Sequence, residues 1–250
     1  MRQAIHFLAT ALAVMNPAVA FWGADVLAPA GRLLRSVPDA RELMRLFPHL
    51  DAREARRLVA RMMRIEARNH VLASWLRRGG RARVRRLLAP DAPPVLPKPP
   101  LILGTFHVGP VHALGAALEG TSPLLALRNE GYADDQRRAA AFYHATARLR
   151  RGELVLMALD PQRASRIDAP FLGGTLQLAR GAFALSLATG APIVPIVARW
   201  RGLRIEAVTG DALIGDDEPS LAASAAQWLE RYLVDAPDET SLRILDLMKR

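Results

Sequence analysis

A mixed α/β sheet flanked by helices, preceded by a helical membrane-associating segment, is the fold class this sequence predicts. Three observations carry the prediction. From Leu101 onward, short apolar runs alternate with helical stretches. A stretch with six prolines, Pro90 to Pro100, stands before that alternation. Ahead of it lie an apolar N-terminus and a block dense in arginine. The expected organisation is an apolar membrane anchor over 1–35, an arginine-rich helical segment over 36–89, a linker over 90–100 and an α/β core over 101–250. At 250 residues the chain is long enough for one well-buried domain with an appendage and short for two. With 51% hydrophobic and 23% charged residues it is not a disordered chain. The absence of cysteine excludes disulfides and thiolate metal sites and leaves the redox compartment open.

The first element is the uncharged run Ala4 to Ala24, interrupted at Asn16-Pro17 because proline cannot continue a helical ladder. The preferred reading is a retained anchor. A secretory signal peptide cut after Ala18-Val19-Ala20 is the competing reading, with little positive charge before it. Next, Asp51-Ala52-Arg53-Glu54 is a capping-box signature, since the aspartate can cap the helix start and the glutamate can reach back. It opens a helix to about Trp75 whose Ala55, Leu58, Val59, Met62, Met63 and Ile65 fall largely on one face. Gly79-Gly80 closes that region.

In the core, Leu101–Phe106, Leu124–Leu127, Leu154–Leu159, Ile193–Val197 and Arg204–Val208 read as strands. Asp134–Arg150 and Gly181–Ala188 read as helices between them. The first strand runs into Gly104-Thr105-Phe106-His107-Val108-Gly109-Pro110-Val111-His112. A histidine at the carboxyl end of a buried strand, followed by a glycine turn, stands where open α/β sheets place reacting groups. His107 is therefore the leading candidate for a general base. Gly104 and Gly109 are candidates to offer backbone amides to an oxyanion.

The net charge of +10 is concentrated, with sixteen arginines and five acidic residues between Gly31 and Leu88. These arginines lie on helical repeats without the interleaved aromatics of a stacking surface, which argues against nucleic acid. Directly after an apolar segment, such a block fits an anionic membrane surface. A solvated face on a core helix explains the same pattern more plainly.

Four blocks occur in an order that resembles the lysophospholipid acyltransferase superfamily, in its branch of late lipid A acyltransferases. They are His107-Val108-Gly109 after a strand, Gly152-Glu153-Leu154-Val155-Leu156 leading to Asp160 and Gln162, Ala169-Pro170-Phe171-Leu172-Gly173, and Thr189-Gly190-Ala191-Pro192-Ile193-Val194-Pro195-Ile196. Phe47-Pro48-His49-Leu50 and Trp228-Leu229-Glu230 with Pro237-Asp238-Glu239 extend the resemblance over nearly the whole chain. The resemblance implies transfer of a fatty acyl group from an acyl carrier protein or coenzyme A thioester to a hydroxyl of a lipid or glycolipid. No cofactor and no metal are expected. Because such thioesters are cytoplasmic, the resemblance also implies the cytoplasmic face of a bacterial inner membrane.

In that family the histidine is followed five positions later by an aspartate or glutamate. Here that place is taken by His112, which cannot supply the negative charge. Three readings stay open. Asp160, ending the next recognisable strand, takes the orienting role; His112 orients His107 as a neutral partner; or the chain is a non-catalytic descendant that binds acyl chains or lipids. The resemblance implies that Arg128, at the end of the short strand after the histidine motif, contacts acidic substrate groups such as phosphate, with Arg163 as a second anchor; a surface arginine and a plain turn at Asp160-Pro161-Gln162-Arg163 are the competing readings. Gly109 and Phe171 are the other expected substrate-binding residues, although an aromatic before glycines also fits a packed turn. A metal hydrolase built on His107, His112 and Asp160 lacks the one-turn histidine pair of zinc helices. A serine hydrolase lacks a Gly-x-Ser-x-Gly elbow, and a dinucleotide site lacks Gly-x-Gly-x-x-Gly after a strand.

Overall fold

The computed structural model describes residues 16–29, 38–89, 95–118, 124–127, 135–160 and 165–249. Among the described residues, eight strands appear in chain order: β1 (Leu101–Thr105), β2 (Leu124–Leu127), β3 (Leu154–Ala158), β4 (Arg166–Phe171), β5 (Gly174–Ala179), β6 (Ile193–Arg201), β7 (Arg204–Thr209) and β8 (Met248–Lys249). Five of them form a sheet in the order β2-β3-β1-β6-β7. The first four of these run parallel, and β7 pairs antiparallel with β6, so the sheet is mixed. The other three make an antiparallel sheet in the order β4-β5-β8.

The central strands are apolar almost without interruption because both of their faces are covered. Ile102, Val155, Ile193 and Val197 pack on one side, in a core shared with Leu58, Met62 and the buried face of the helix Glu218–Asp235. Their neighbours Leu101, Leu103, Leu154, Val194 and Ile196 pack on the other side, with Phe21, Val71, Leu72 and Trp75. The period of two along each strand assigns these residues to the two layers.

The arginine-rich helix spans Ala52–Arg77 and begins as its sequence predicts. Asp51 accepts from the amides of Arg53 and Glu54, both at 2.7 Å, and Glu54 accepts from the Asp51 amide at 3.0 Å. This helix contributes to both core layers, so the arginine-rich segment is part of the α/β body. The chain after it is tied in as well. Leu87 accepts from the Ile205 amide at 2.7 Å and Ala89 donates to the Ile205 carbonyl at 2.8 Å, along the outer edge of β7.

Residues 1–15 and 30–35 of the expected anchor lie outside the described residues. Asn16-Pro17, expected to interrupt a helix, starts one: the Asn16 side chain accepts from the Ala18 amide at 3.0 Å, and proline at the first helical position loses no hydrogen bond. The helix Pro17–Leu27 lays Ala20, Phe21 and Ala24 on the body. Phe21 meets Trp75 and Trp200 with ring centroids 5.3 and 5.2 Å apart, so Phe21→Ala would cost about 3–5 kcal/mol. Arg68 holds the same helix through a two-pronged pair with Asp25 and lies 5.9 Å over the Trp200 ring. Among the described residues, no helix is long and apolar enough to cross a membrane.

The hairpin β4-β5 has no counterpart among the expected strands. Pro170 counts against a strand in the sequence, but it falls on the edge strand, where a missing amide costs no ladder bond. The alternation is present: Ala169, Phe171, Leu176 and Leu178 are buried between more exposed neighbours. The turn Leu172-Gly173 holds both residues at positive φ, 45° and 73°, as a two-residue hairpin requires. Leucine is an unusual residue for that place, which hides the turn from a composition-based reading.

Candidate active site

The first residues beyond β1 and β3 build the site. These strands are parallel neighbours with Thr105 registered against Ala158. The same register carried two residues further sets His107 opposite Asp160, at the carboxyl edge of the sheet where open α/β folds gather their reacting groups. There the Asp160 carboxylate accepts from His107 twice, from the backbone amide at 2.9 Å and from ring Nδ1 at 2.7 Å. Asp160 is fully buried, whereas the His107 side chain is 31% exposed. One side chain thus fixes both the backbone and the ring of the histidine.

An ionised carboxylate is an acceptor only, so Nδ1 must carry the ring proton. Nε2 then presents a lone pair, and it makes no hydrogen bond among the described residues. The arrangement can accept a proton at Nε2 and stabilise the imidazolium that results, without a covalent intermediate. Arg243, on the helix Leu242–Leu247, donates through Nε to the Asp160 carbonyl at 3.0 Å and lies 3.8 Å from carboxylate Oδ2. Buried negative charge is costly unless neighbours compensate it, and two N–H donors and a guanidinium do so here.

The turn after the histidine is held from behind. Gly109 has φ of +55°, and its carbonyl accepts from Asn69 Nδ2 at 3.0 Å. Asn69 Oδ1 in turn accepts from the Trp200 indole at 2.9 Å. A β-carbon on Gly109 would stand 2.3 Å from both the Ala198 carbonyl oxygen and Glu239 Oε2, so this position excludes side chains by space as well as by φ. Glu239 is 4% exposed. Oε1 accepts from the Trp200 amide at 3.3 Å, and Oε2 has no hydrogen-bond partner. Burial, with the repulsion of Asp238 added, pushes the Glu239 carboxyl up to about 8.

His112 lies exposed on the short 3-10 turn Val111–Ala113, just beyond this turn. The orienting position at His107 Nδ1 is occupied by Asp160. Gly104 lies inside the sheet, registered against Met157 and Pro195, with Leu159 so close that a β-carbon would meet it at 2.8 Å. Its backbone belongs to the ladder and is not free for an oxyanion, which corrects that expectation. Phe171 is buried at 1% in the main core. It occupies the packed-turn position that its motif also allowed. Arg128 and Arg163 lie outside the described residues. Among the described residues, no group of three or more metal-ligating side chains comes together.

Sequence reasoning missed Asn69, Arg243 and the place of Glu239. Asn69 and Arg243 carry no local motif, because their partners are 40 and 83 residues away. Glu239 was visible only as part of Pro237-Asp238-Glu239. No family model matches the chain, and no curated protein matches it.

Proposed function

We propose that this protein transfers a fatty acyl group from an acyl carrier protein or coenzyme A thioester to a hydroxyl of a lipid or glycolipid, lipid A-like or another membrane lipid. The observation that carries this reading is the His107–Asp160 pair. The ordered sequence blocks that resemble lipid A acyltransferases supply the reaction class. In the proposed reaction, His107 Nε2 takes the proton of the acceptor hydroxyl as its oxygen attacks the thioester carbonyl. The tetrahedral species then expels the thiolate, which takes the proton back from the imidazolium. Asp160 holds the ring and stabilises its charge throughout. Arg128 and Arg163 remain the proposed phosphate anchors, and Gly109 the proposed contributor to substrate binding.

The proposed setting is the cytoplasmic face of a bacterial inner membrane, on an anionic surface. Two features support it. Val19, Trp22 and Val26 on the helix Pro17–Leu27 are 49%, 69% and 57% exposed, an apolar stripe at helical spacing. Arg53, Arg56, Arg57, Arg61 and Arg64 face solvent on the arginine-rich helix.

The deciding experiment is mass-spectrometric detection of acyl transfer to a bacterial lipid extract from both thioester donors. It compares the native protein with His107→Ala and His112→Ala. Product that depends on His107 supports the reading. Folded protein that yields no such product with either donor returns the alternative, a non-catalytic protein of this fold that binds acyl chains or lipids.

A further inference from the structure

β6 is longer than the partner beside it. The β1–β6 ladder ends with Thr105 against Ile196, yet β6 runs on to Arg201. Continued in register, the ladder would set residue 108 opposite Arg199. A residue in that place would bond the Ala198 carbonyl and the Trp200 amide, which flank it in a parallel pairing. The chain instead leaves β1 at the His107–Gly109 turn, and the Glu239 carboxyl lies beside that stretch of β6. Oε1 takes the Trp200 amide at 3.3 Å, while Oε2 and the Ala198 carbonyl oxygen both lie 2.3 Å from the point where a Gly109 β-carbon would be.

We propose that Glu239 is a positioning residue for His107. Held as the neutral acid, its carboxyl replaces the missing β1 residue by accepting from the Trp200 amide and donating to the Ala198 carbonyl, and so supports the turn that carries the histidine. An ionised carboxylate fits this place badly, because Oε2 is buried and no hydrogen-bond donor reaches it. The surroundings favour the neutral form. The group is buried, and Asp238 on the same turn repels a second negative charge. Tyr232, from the helix Glu218–Asp235, contributes a buried hydroxyl with no hydrogen-bond partner. Two cations stand nearby, both engaged elsewhere: Arg199 is paired with Glu206, and Arg61 lies 3.8 Å from Asp238. The burial that raises the Glu239 carboxyl to about 8 also places its ionisation just above neutral pH.

The inference rests on the reading of His107 as general base, but its test does not require turnover. In the full-length protein, infrared difference spectra of wild type and Glu239→Gln are to be compared at pH 6.5 and across pH 6 to 9. The carbonyl-carbon resonances of Val108 and Gly109 are to be followed over the same range. The expected result is a protonated-carboxyl band in wild type that is missing in Glu239→Gln and fades with a midpoint near 8. The two resonances should shift with that midpoint in wild type and stay put in the variant, whose amide donates at every pH. If acyl transfer is found, its rate should fall above pH 8 in wild type and not in Glu239→Gln. No protonated-carboxyl band at pH 6.5, or turn resonances that titrate equally in both proteins, would overturn the proposal. Should Glu239→Gln fail to fold, the wild-type infrared titration decides together with the Val108 and Gly109 resonances, which must share its midpoint.

Discussion

Glu239 fills the space that a side chain on Gly109 would need. Its Oε2 lies 2.3 Å from the β-carbon position, and the Ala198 carbonyl oxygen lies equally close on β6. The histidine-bearing turn, the C-terminal 3-10 turn Pro237–Glu239 and the end of β6 are therefore packed as one unit.

Gly109→Ala should be among the most damaging small substitutions in this protein. It adds both a strained φ and two unrelieved contacts, at a cost of about 2–4 kcal/mol. Differential scanning calorimetry should show a fall in Tm of roughly 5–10 °C. Gly152→Ala is the control, because Gly152 has a similar φ of +76° and nothing within 4 Å of the added carbon. It should cost only about 1 kcal/mol.

Glu239 should contribute a loss of stability as pH rises from about 4.5 to about 8. Its carboxyl is raised from 4.5 to about 8 in the folded protein, so between those values the native state binds more protons than the unfolded chain. Its contribution is complete below pH 4.5 and is lost as pH rises through the folded value, with a slope of up to about 1.4 kcal/mol per pH unit. Urea unfolding at several pH values should show a shallower decline for Glu239→Gln. Equal slopes would remove Glu239 as the cause.

Asp160→Asn and His112→Ala should separate the two claimants for the orienting role. An asparagine amide in place of the carboxylate favours the wrong ring tautomer, which can cost about ten-thousand-fold in rate. His112→Ala leaves the Asp160 contacts intact and should cost about tenfold or less. Steady-state acyl transfer measures both, and a greater loss in His112→Ala than in Asp160→Asn would reverse the assignment.

Trp22→Ala should weaken binding to vesicles containing phosphatidylglycerol by about tenfold, or ~1.4 kcal/mol, without changing Tm by more than about 2 °C. Added salt should weaken the binding further, through the exposed arginines. Sedimentation with the vesicles checks both effects. Binding that ignores Trp22 and salt alike would remove this face from the reading.

The parallel strands and the arginine-rich helix were legible because their signals are local: continuous apolar runs, a period of 3.6, and Asp51 three residues before Glu54. Within the site, His107 was legible from its position after a buried strand, and Asp160 from its position after the next one. The β4-β5 hairpin was hidden by Pro170 and by a leucine at positive φ. The places of Asn69, Glu239 and Arg243 became visible only when tertiary packing brought Asn69 and Glu239 to the turn and Arg243 to Asp160, since each acts through a partner distant in sequence. The 3-10 turn Val111–Ala113 places His112 on the surface, beyond what a spacing of five residues reveals.

His107 and Asp160 are 53 residues apart in sequence. A histidine and carboxylate five positions apart would close a loop of only a few residues, and such a pair can form while the chain around it is still loose. Here the pair has to wait until β1 and β3 align, after the larger loop-closure entropy has been met. Any local opening that separates the ends of those two strands dissolves the pair, even while the helical layers stay folded. The orientation of the proposed general base is thus a property of sheet assembly, and the pair should disappear at lower denaturant concentration than helical circular dichroism does.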